Sequence, residues 1–336
     1  MLLFLIIATI SHCARSDFVY DCFDVSAGLR LNGAATLREC DAADHDDNPQ
    51  LREHGYTAAL DIFTTTEANN SDATSNADGD CSGALQLTPP SPSKAGSAYY
   101  QSKVPVLTGF ETTFTWKISE ISVECTSIVD KAFSRQQHES CVTVGGDGFA
   151  FVVHLDPQLG KDALGGDGQD LGYGGIVNSI AIEFDTWTNT QPGSDDVFQD
   201  HIAIHAAGPL LPNSSTEATA LGWRPHDIAD GKTHRARIQY LPYVEERYFE
   251  LMTASENLFP YMREGGGRGI GTLAVFVDQG IVEDRPLFAI PINLGVVLDL
   301  PDSLAFVGFT GSTGRKWQRH EILRWEWYES IAHDTE

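Results

Sequence analysis

The stretch Ile180–His205, IAIEFDTWTNTQPGSDDVFQDHIAIH, opens and closes on alternating apolar residues and carries between them a loop crowded with Asp, Asn and Thr. Ile180, Ile182 and Phe184 fall two apart, as do Ile202 and Ile204, the spacing by which one face of a β-strand meets a core. The residues between them face the other way. Glu183 and Asp185 therefore set two carboxylates side by side at the end of one strand, and His201, which begins the next, can be brought back to them by the loop. Asn189, Asp195 and Asp196 add oxygen donors. Carboxylates with one imidazole suit a transition ion such as Mn2+, whereas carboxylates, an amide and a backbone carbonyl suit Ca2+. Two neighbouring ions sharing these acids would offset their mutual repulsion. Spacing alone leaves an ordinary acidic hairpin as the alternative.

Period two recurs along the chain. FETTFTWKI, GFAFVVHL, HRARIQY, TLAVFV and LAFVGFT are short β-branched or aromatic runs parted by Gly, Pro, Asp and Asn clusters, and amphipathic helical spacing is scarce. The pattern predicts an all-β fold, an antiparallel jelly-roll β-sandwich. At 336 residues one large domain with insertions fits as well as two. The insertions are two stretches without period, 39–80, acidic and rich in Asn, Ser and Thr, and 243–271, ending in GGGRGIG; both read as inserted loops, partly disordered. The glycine run does not match GxGxxG, so no nucleotide site is expected there. A formal charge of −25 argues against nucleic acid or an anionic membrane as partner.

Residues 1–16, MLLFLIIATISHCARS, hold an apolar run from Leu2 to Ile10 with Ala14 and Ser16 placed for cleavage. They read as a signal peptide, too short to span a bilayer, with a first buried strand as the alternative. Export implies an oxidising compartment, in which Cys125 would pair with Cys141 and Cys40 with Cys81, leaving Cys22 as the odd one. No pair has CxxC spacing, which makes a zinc site unexpected. Asn69 and Asn213 stand in glycosylation sequons.

EFDTWTN followed by DDVFQDHIAIH resembles the metal-binding segment of the legume-type (L-type) lectins. LRLNGAATL, LQLTPPSPSKAGSAYY, FETTFTWKI, GGDGFAFVVH, LGYGGIVNSIAIEFDTW and LAFVGFTGSTGRKWQRHEILRWEW resemble that family's successive strands and loops, in its order. The resemblance runs from about Phe18 to Trp327 apart from the two insertions, which places one lectin domain at 17–330 with a tail at 331–336. It implies that Glu183, Asp185 and His201 hold the transition ion, with Asp195 or Asp196 bridging, and Asp200 as a third contender. Asp185, the carbonyl of Trp187, Asn189 and the same bridging Asp would hold Ca2+.

The resemblance also implies a sugar site built from four loops. Asp147, after a cis peptide at Gly146, would accept hydrogen bonds from two hydroxyls. Gly172 would donate a backbone N–H, or Gly168 if the loop is shifted; Asn189 would donate its amide, Trp187 an aromatic face, and Arg315 and Lys316 backbone N–H groups. Taken singly, Asp147 and Gly172 read as turn residues and Trp187 as a core aromatic. Together they match a hydroxyl-rich ligand, because a carboxylate, an amide and N–H groups at fixed angles discriminate hydroxyl orientation. The rival reading is a sandwich-fold glycoside hydrolase, which needs a second carboxyl; such enzymes use E-x-D-x-x-E, and counting from Glu183 puts Thr188 at the last position. No G-x-S-x-G occurs either. The expectation is a non-catalytic, metal-dependent glycan-binding protein, secreted or luminal, without membrane insertion and with a possible homo-oligomer. A lectin-like fold used for protein contacts is the third reading.

Overall fold

In FETTFTWKIS, residues 110–119, the side chains of Phe110, Thr112, Phe114, Trp116 and Ile118 are buried, while Glu111 and Thr115 between them are only half-buried. Aromatic and β-branched residues fit such a pleated, half-covered surface, and the core strands among the described residues are segments of this kind. The computed structural model describes residues 17–39, 83–129, 137–190, 199–253 and 255–329. The leader, most of the first insertion, Asn69 and the Cys40–Cys81 pairing lie outside the described residues, as do Asp195 and Asp196.

The chain begins with β1 (Phe18–Tyr20), β2 (Leu29–Gly33) and β3 (Thr36–Glu39). After residue 82 follow β4 (Gly83–Thr88), β5 (Lys94–Tyr100), β6 (Val104–Pro105) and β7 (Phe110–Ser119), then the hairpin β8 (Val123–Val129) and β9 (Gln137–Thr143). The middle holds β10 (Gly148–His154), β11 (Ser179–Asp185), β12 (His201–Ala206) and β13 (Gly222–Pro225). Last come β14 (Thr233–Leu241), β15 (Gly271–Val277), β16 (Phe288–Ile292), β17 (Leu304–Thr313) and β18 (Arg319–Glu329).

Two eight-stranded sheets result. One runs β16-β15-β14-β7-β18-β4-β3 with β1 added to β18; the other runs β13-β12-β11-β10-β17-β5-β2 with β6 added to β17. Neighbouring strands pair antiparallel throughout, as in β10 with β11 and β7 with β18, and the sheets pack face to face as the jelly-roll sandwich anticipated from the sequence. Phe114 meets Phe149, Phe151, Phe184 and Phe309 across the gap at ring separations of 5.0–6.4 Å. Emptying a position of that kind costs about 3–5 kcal/mol.

Strand β10 is buried on both faces. Phe149, Phe151 and Val153 enter the core between the sheets, whereas Ala150 and Val152 join Leu171, Tyr173, Ile176 and Ala181 in a second cluster on the outer side. The 155–178 loop thus dries the outer face of β10 and β11. This is the face on which Glu183 and Asp185 stand.

The hairpin β8–β9 pairs with neither large sheet, and Cys125 lies directly opposite Cys141, to which it is disulfide-bonded. Cys22 is disulfide-bonded as well, so it is not the odd cysteine; its partner is outside the described residues. The second insertion is folded where a partly disordered loop was expected. It forms the 3-10 segments Glu246–Leu251 and Glu256–Tyr261, anchored by buried Tyr248 and Leu258. Such turns bury isolated apolar residues, which leave no period of two or 3.6 to read. At the Asn213 sequon the residue is buried, and its amide donates to Ser179 Oγ at 3.0 Å and to the His205 carbonyl at 3.3 Å. Among the described residues no helix is long and apolar enough to cross a membrane.

Candidate metal and glycan site

Register brings the first candidate ligands together. Asp185 pairs with His201, Glu183 with Ala203 and Ala181 with His205, so period two puts Glu183, Asp185, His201 and His205 on one face of adjacent strands. Glu183 is fully buried, and Asp185 and His201 are each 3% exposed. Tyr173 donates its hydroxyl to Glu183 Oε2 at 2.6 Å, and His205 Nε2 lies 2.9 Å from Oε1. His201 Nε2 stands 3.5 Å from Glu183 Oε1 and 3.3 Å from Glu217 Oε2. One donor atom each from Glu183, His201 and Glu217 fall within 4.8 Å of one another.

Electrostatics follow from this crowding. Burial alone would discharge the His201 imidazole, but Glu183, Glu217 and Asp185 around it outweigh burial and push its pKa up to about 11. Burial likewise opposes the Glu183 charge, yet His205 and His201 hold that carboxyl well below the usual range. Buried carboxylates with imidazole, already oriented by Tyr173 and His205, make a donor set that fits a divalent transition ion. Beside it, Asp185 Oδ1 accepts the Trp187 N–H at 2.6 Å, turning the chain so that the Trp187 carbonyl and Asn189 follow; these oxygens suit Ca2+. Asp200 is turned away from this role. Its Oδ2 accepts the N–H groups of Ile228 and Ala229 at 3.2 and 3.3 Å.

The proposed sugar-contacting residues converge next to the metal ligands. The Gly146–Asp147 peptide is cis. Asp147 N donates to the Ser312 carbonyl at 3.1 Å, and Thr186 returns both its N–H and its hydroxyl to the Asp147 carbonyl at 2.9 Å each. The Asp147 side chain is 6% exposed and its Oδ2 has no hydrogen-bond partner. Burial pushes its carboxyl up to about 7; a hydrogen bond from the Gly314 backbone opposes that and the charge of Asp167 adds to it. A Cβ at residue 314 would lie 2.8 Å from Oδ2, so only glycine leaves the carboxylate open there. Trp187 packs over Gly146, where a Cβ would meet its ring at 3.3 Å.

The glycine-rich loop treats its two candidate donors differently. Gly172 N–H is committed to the Gly166 carbonyl at 3.0 Å, and Gly172 abuts Thr310 and Gly311. Gly168 instead faces Gly314, with Ser312 Oγ donating to its carbonyl at 2.6 Å. Asn189 reaches the same loop, its amide 3.5 Å from Gln169 Oε1. Of the two glycines, Gly172 thus has its N–H paired within the loop, and Gly168 is the one that faces Gly314. Arg315 is exposed at the rim, and Lys316 extends to Glu124 of the β8–β9 hairpin at 2.7 Å. Sequence reasoning missed Tyr173, His205 and Glu217. The HIAIH spacing carried a signal for His205, which shares a strand face with His201; Glu217 gave none.

A cavity of about 600 Å3 opens beside this centre, lined by Gly145, Thr186, Asp200, His226 and Gln318 among others. Two of its polar groups bond within the protein: Asp200 as above, and the Gln318 amide on Thr186 Oγ1 at 2.5 Å. Asp147, which does not line this cavity, keeps a buried Oδ2 without a hydrogen-bond partner.

The legume lectin domain pattern matches residues 60–336. Over 270 residues the chain is 25% identical to Lectin 8 of Medicago truncatula, covering 76% of this chain and 82% of that one. It is 29% identical over 194 residues to the Probable L-type lectin-domain containing receptor kinase VII.2 of Arabidopsis thaliana, covering 55% of this chain and 24% of that relative, so it spans about a quarter of that relative's length. Among solved structures, the lectin from Bauhinia forficata in complex with GalNAc matches with a TM-score of 0.52 at 17% identity, over 95% of this chain and 100% of that one. That likeness speaks to the fold.

Proposed function

Since the chain belongs to the legume lectin domain family, we propose that it binds glycans or glycoproteins without catalysis, depends on Ca2+ and a transition ion such as Mn2+, and works in the secretory-pathway lumen or outside the cell. The observation that carries this reading is Asp147: a nearly buried carboxylate whose Oδ2 has no hydrogen-bond partner, set among Gly168, Gly314, Asn189 and Trp187. An acceptor held in this way is costly to the protein until a donor arrives, and a sugar hydroxyl is a donor that can also accept from neighbouring N–H groups.

In this reading Glu183, Asp185 and His201 hold the transition ion, and Asp185, the Trp187 carbonyl and Asn189 hold Ca2+, with Asp195 or Asp196 completing both. The ions supply rigidity: with Asp185, Trp187 and Asn189 held, Thr186 clamps the Asp147 carbonyl and less ordering remains when sugar binds. Asp147 accepts hydroxyl protons, Asn189 donates its amide, Gly168 and the 314–316 loop offer backbone N–H groups, and Trp187 offers its ring. The exposed Arg315 and the loop around it tune the choice of sugar. Against hydrolysis stands Thr188, which lacks the carboxyl a second catalytic acid needs. The Cys125–Cys141 bridge supports an oxidising compartment. A glycan array probed before and after chelation tests the reading; binding that is absent in metal-loaded protein, or identical after chelation, overturns it.

A further inference from the structure

Glu217 lies in none of the segments that resemble the family, yet its side chain is only 9% exposed and neither carboxylate oxygen has a hydrogen-bond partner. The nearest polar atom given by the structure is His201 Nε2 at 3.3 Å. One carboxylate suffices to balance one imidazole. Here Glu183 and Asp185 already stand beside His201, and Glu183 is satisfied by Tyr173 and His205. A further buried acid in that position costs free energy through desolvation and like-charge repulsion unless a cation shares the space.

The turn that carries Glu217 is firmly held. Ala220 N–H bonds the Glu217 carbonyl at 3.0 Å, closing the 3-10 turn. Asn257 of the second insertion donates to the Ala218 and Ala220 carbonyls at 2.8 and 3.2 Å, and Ser255 Oγ donates to Ala220 at 3.0 Å. Glu217 is thus aimed at His201 by backbone pinned from outside the sheet.

We propose that Glu217 is a direct ligand of the transition ion, so that Glu217 from the 217–219 turn joins Glu183 and Asp185 from β11 and His201 from β12 around it. The inference rests on the metal-dependent reading above and adds to it a protein ligand from outside the Ile180–His205 segment. His201 Nε2 lies 3.5 Å from Glu183 Oε1 and 3.3 Å from Glu217 Oε2, both inside the span of about 4–4.4 Å that opposite ligands at ~2.0–2.2 Å from an ion subtend. Ca2+, whose oxygens come from Asp185, Trp187 and Asn189, is indifferent to Glu217.

The test titrates Mn2+ into the chelator-stripped chain, following loss of the free-ion electron paramagnetic resonance signal, for wild type, Glu217→Gln and Glu217→Ala. Loss of an outer-sphere partner costs roughly 10–100-fold in metal affinity; Glu217→Ala is expected to exceed that range and Glu217→Gln to lose at least about tenfold. Ca2+ affinity, measured separately by calorimetry, stays unchanged. Spin-echo spectra of bound Mn2+ in 17O-water should show one more coordinated water in Glu217→Gln than in wild type, a change that a merely structural role would not produce. Glu217→Gln keeps the side chain's size, so it decides the matter if Glu217→Ala fails to fold. Unchanged Mn2+ affinity and water count in Glu217→Gln overturn this inference alone, whereas wild type that takes up no Mn2+ overturns the metal-dependent reading and this inference with it.

Discussion

Replacing Asp147 by Asn separates sugar recognition from assembly of the site. The substitution keeps the shape and leaves one oxygen to accept the Gly314 N–H, but exchanges the unpartnered Oδ2 for an NH2 group that faces a hydroxyl proton. A hydrogen bond to a charged partner is worth about 1.5–3 kcal/mol, a loss of roughly 10- to 150-fold in affinity. A monosaccharide site near 1 mM has only about 4 kcal/mol in total, so monovalent binding should fall into the tens of millimolar or beyond. Stability should move the other way. Burial pushes the Asp147 carboxyl up to about 7, which means the folded protein disfavours its charge at neutral pH; the neutral amide should leave the Tm of the sugar-free protein unchanged or higher. The assay is calorimetry with a monovalent glycan chosen from the array, alongside thermal denaturation and metal content. Unchanged affinity in Asp147→Asn with Mn2+ and Ca2+ retained would refute the four-loop site and move the protein-contact reading ahead.

Asp185→Ala is expected to remove bound metal and glycan binding together, since Asp185 serves both proposed ions; elemental analysis showing full Ca2+ retention would contradict the ligand assignment. Asn213 should be unglycosylated in protein expressed through the secretory pathway, because its amide is turned inward to Ser179 and His205; a glycopeptide bearing Asn213 would disprove the packing. The His234 imidazole, 2.7 Å from Asp278 and 3.0 Å from Asp230, governs a pH window for stability. Burial opposes both charges, but these partners raise the His234 pKa, and His226 and His234 lower that of Asp278. The His234 contribution is complete below the unfolded value near 6.5 and fades as pH rises through its higher folded pKa, while that of Asp278 is complete above about 3.8 and fades as pH falls through its lower one. The pair's contribution to the urea midpoint, read as the difference between wild type and His234→Gln, should therefore be largest at roughly pH 4–6.5 and shrink on the alkaline side; a difference that does not vary with pH would count against the pair.

Period two made the sandwich legible because each core strand buries alternate residues, and the same rule set Glu183 and Asp185 on the face shared with His201. That rule reaches only as far as a strand does. Which glycine of GGDGQDLGYGG meets the carboxylate depends on the loop's internal hydrogen bonds: Gly172 N–H is taken by Gly166, and Gly168 is left facing Gly314. No spacing in the sequence distinguishes the two. Glu217 is illegible for a related reason, since the chain between His201 and residue 217 has no fixed period and many lengths would serve. Its place is determined at a distance, by Ser255 and Asn257 in a stretch that reads as an aperiodic insertion. The sheet thus provides ligands whose relative positions are dictated by register, and the loops provide those whose positions must be held by further bonds. In this protein the second insertion supplies such bonds to the turn beside His201, so its aperiodic sequence is tied to the proposed metal site by backbone carbonyls rather than by any residue type that a motif would record.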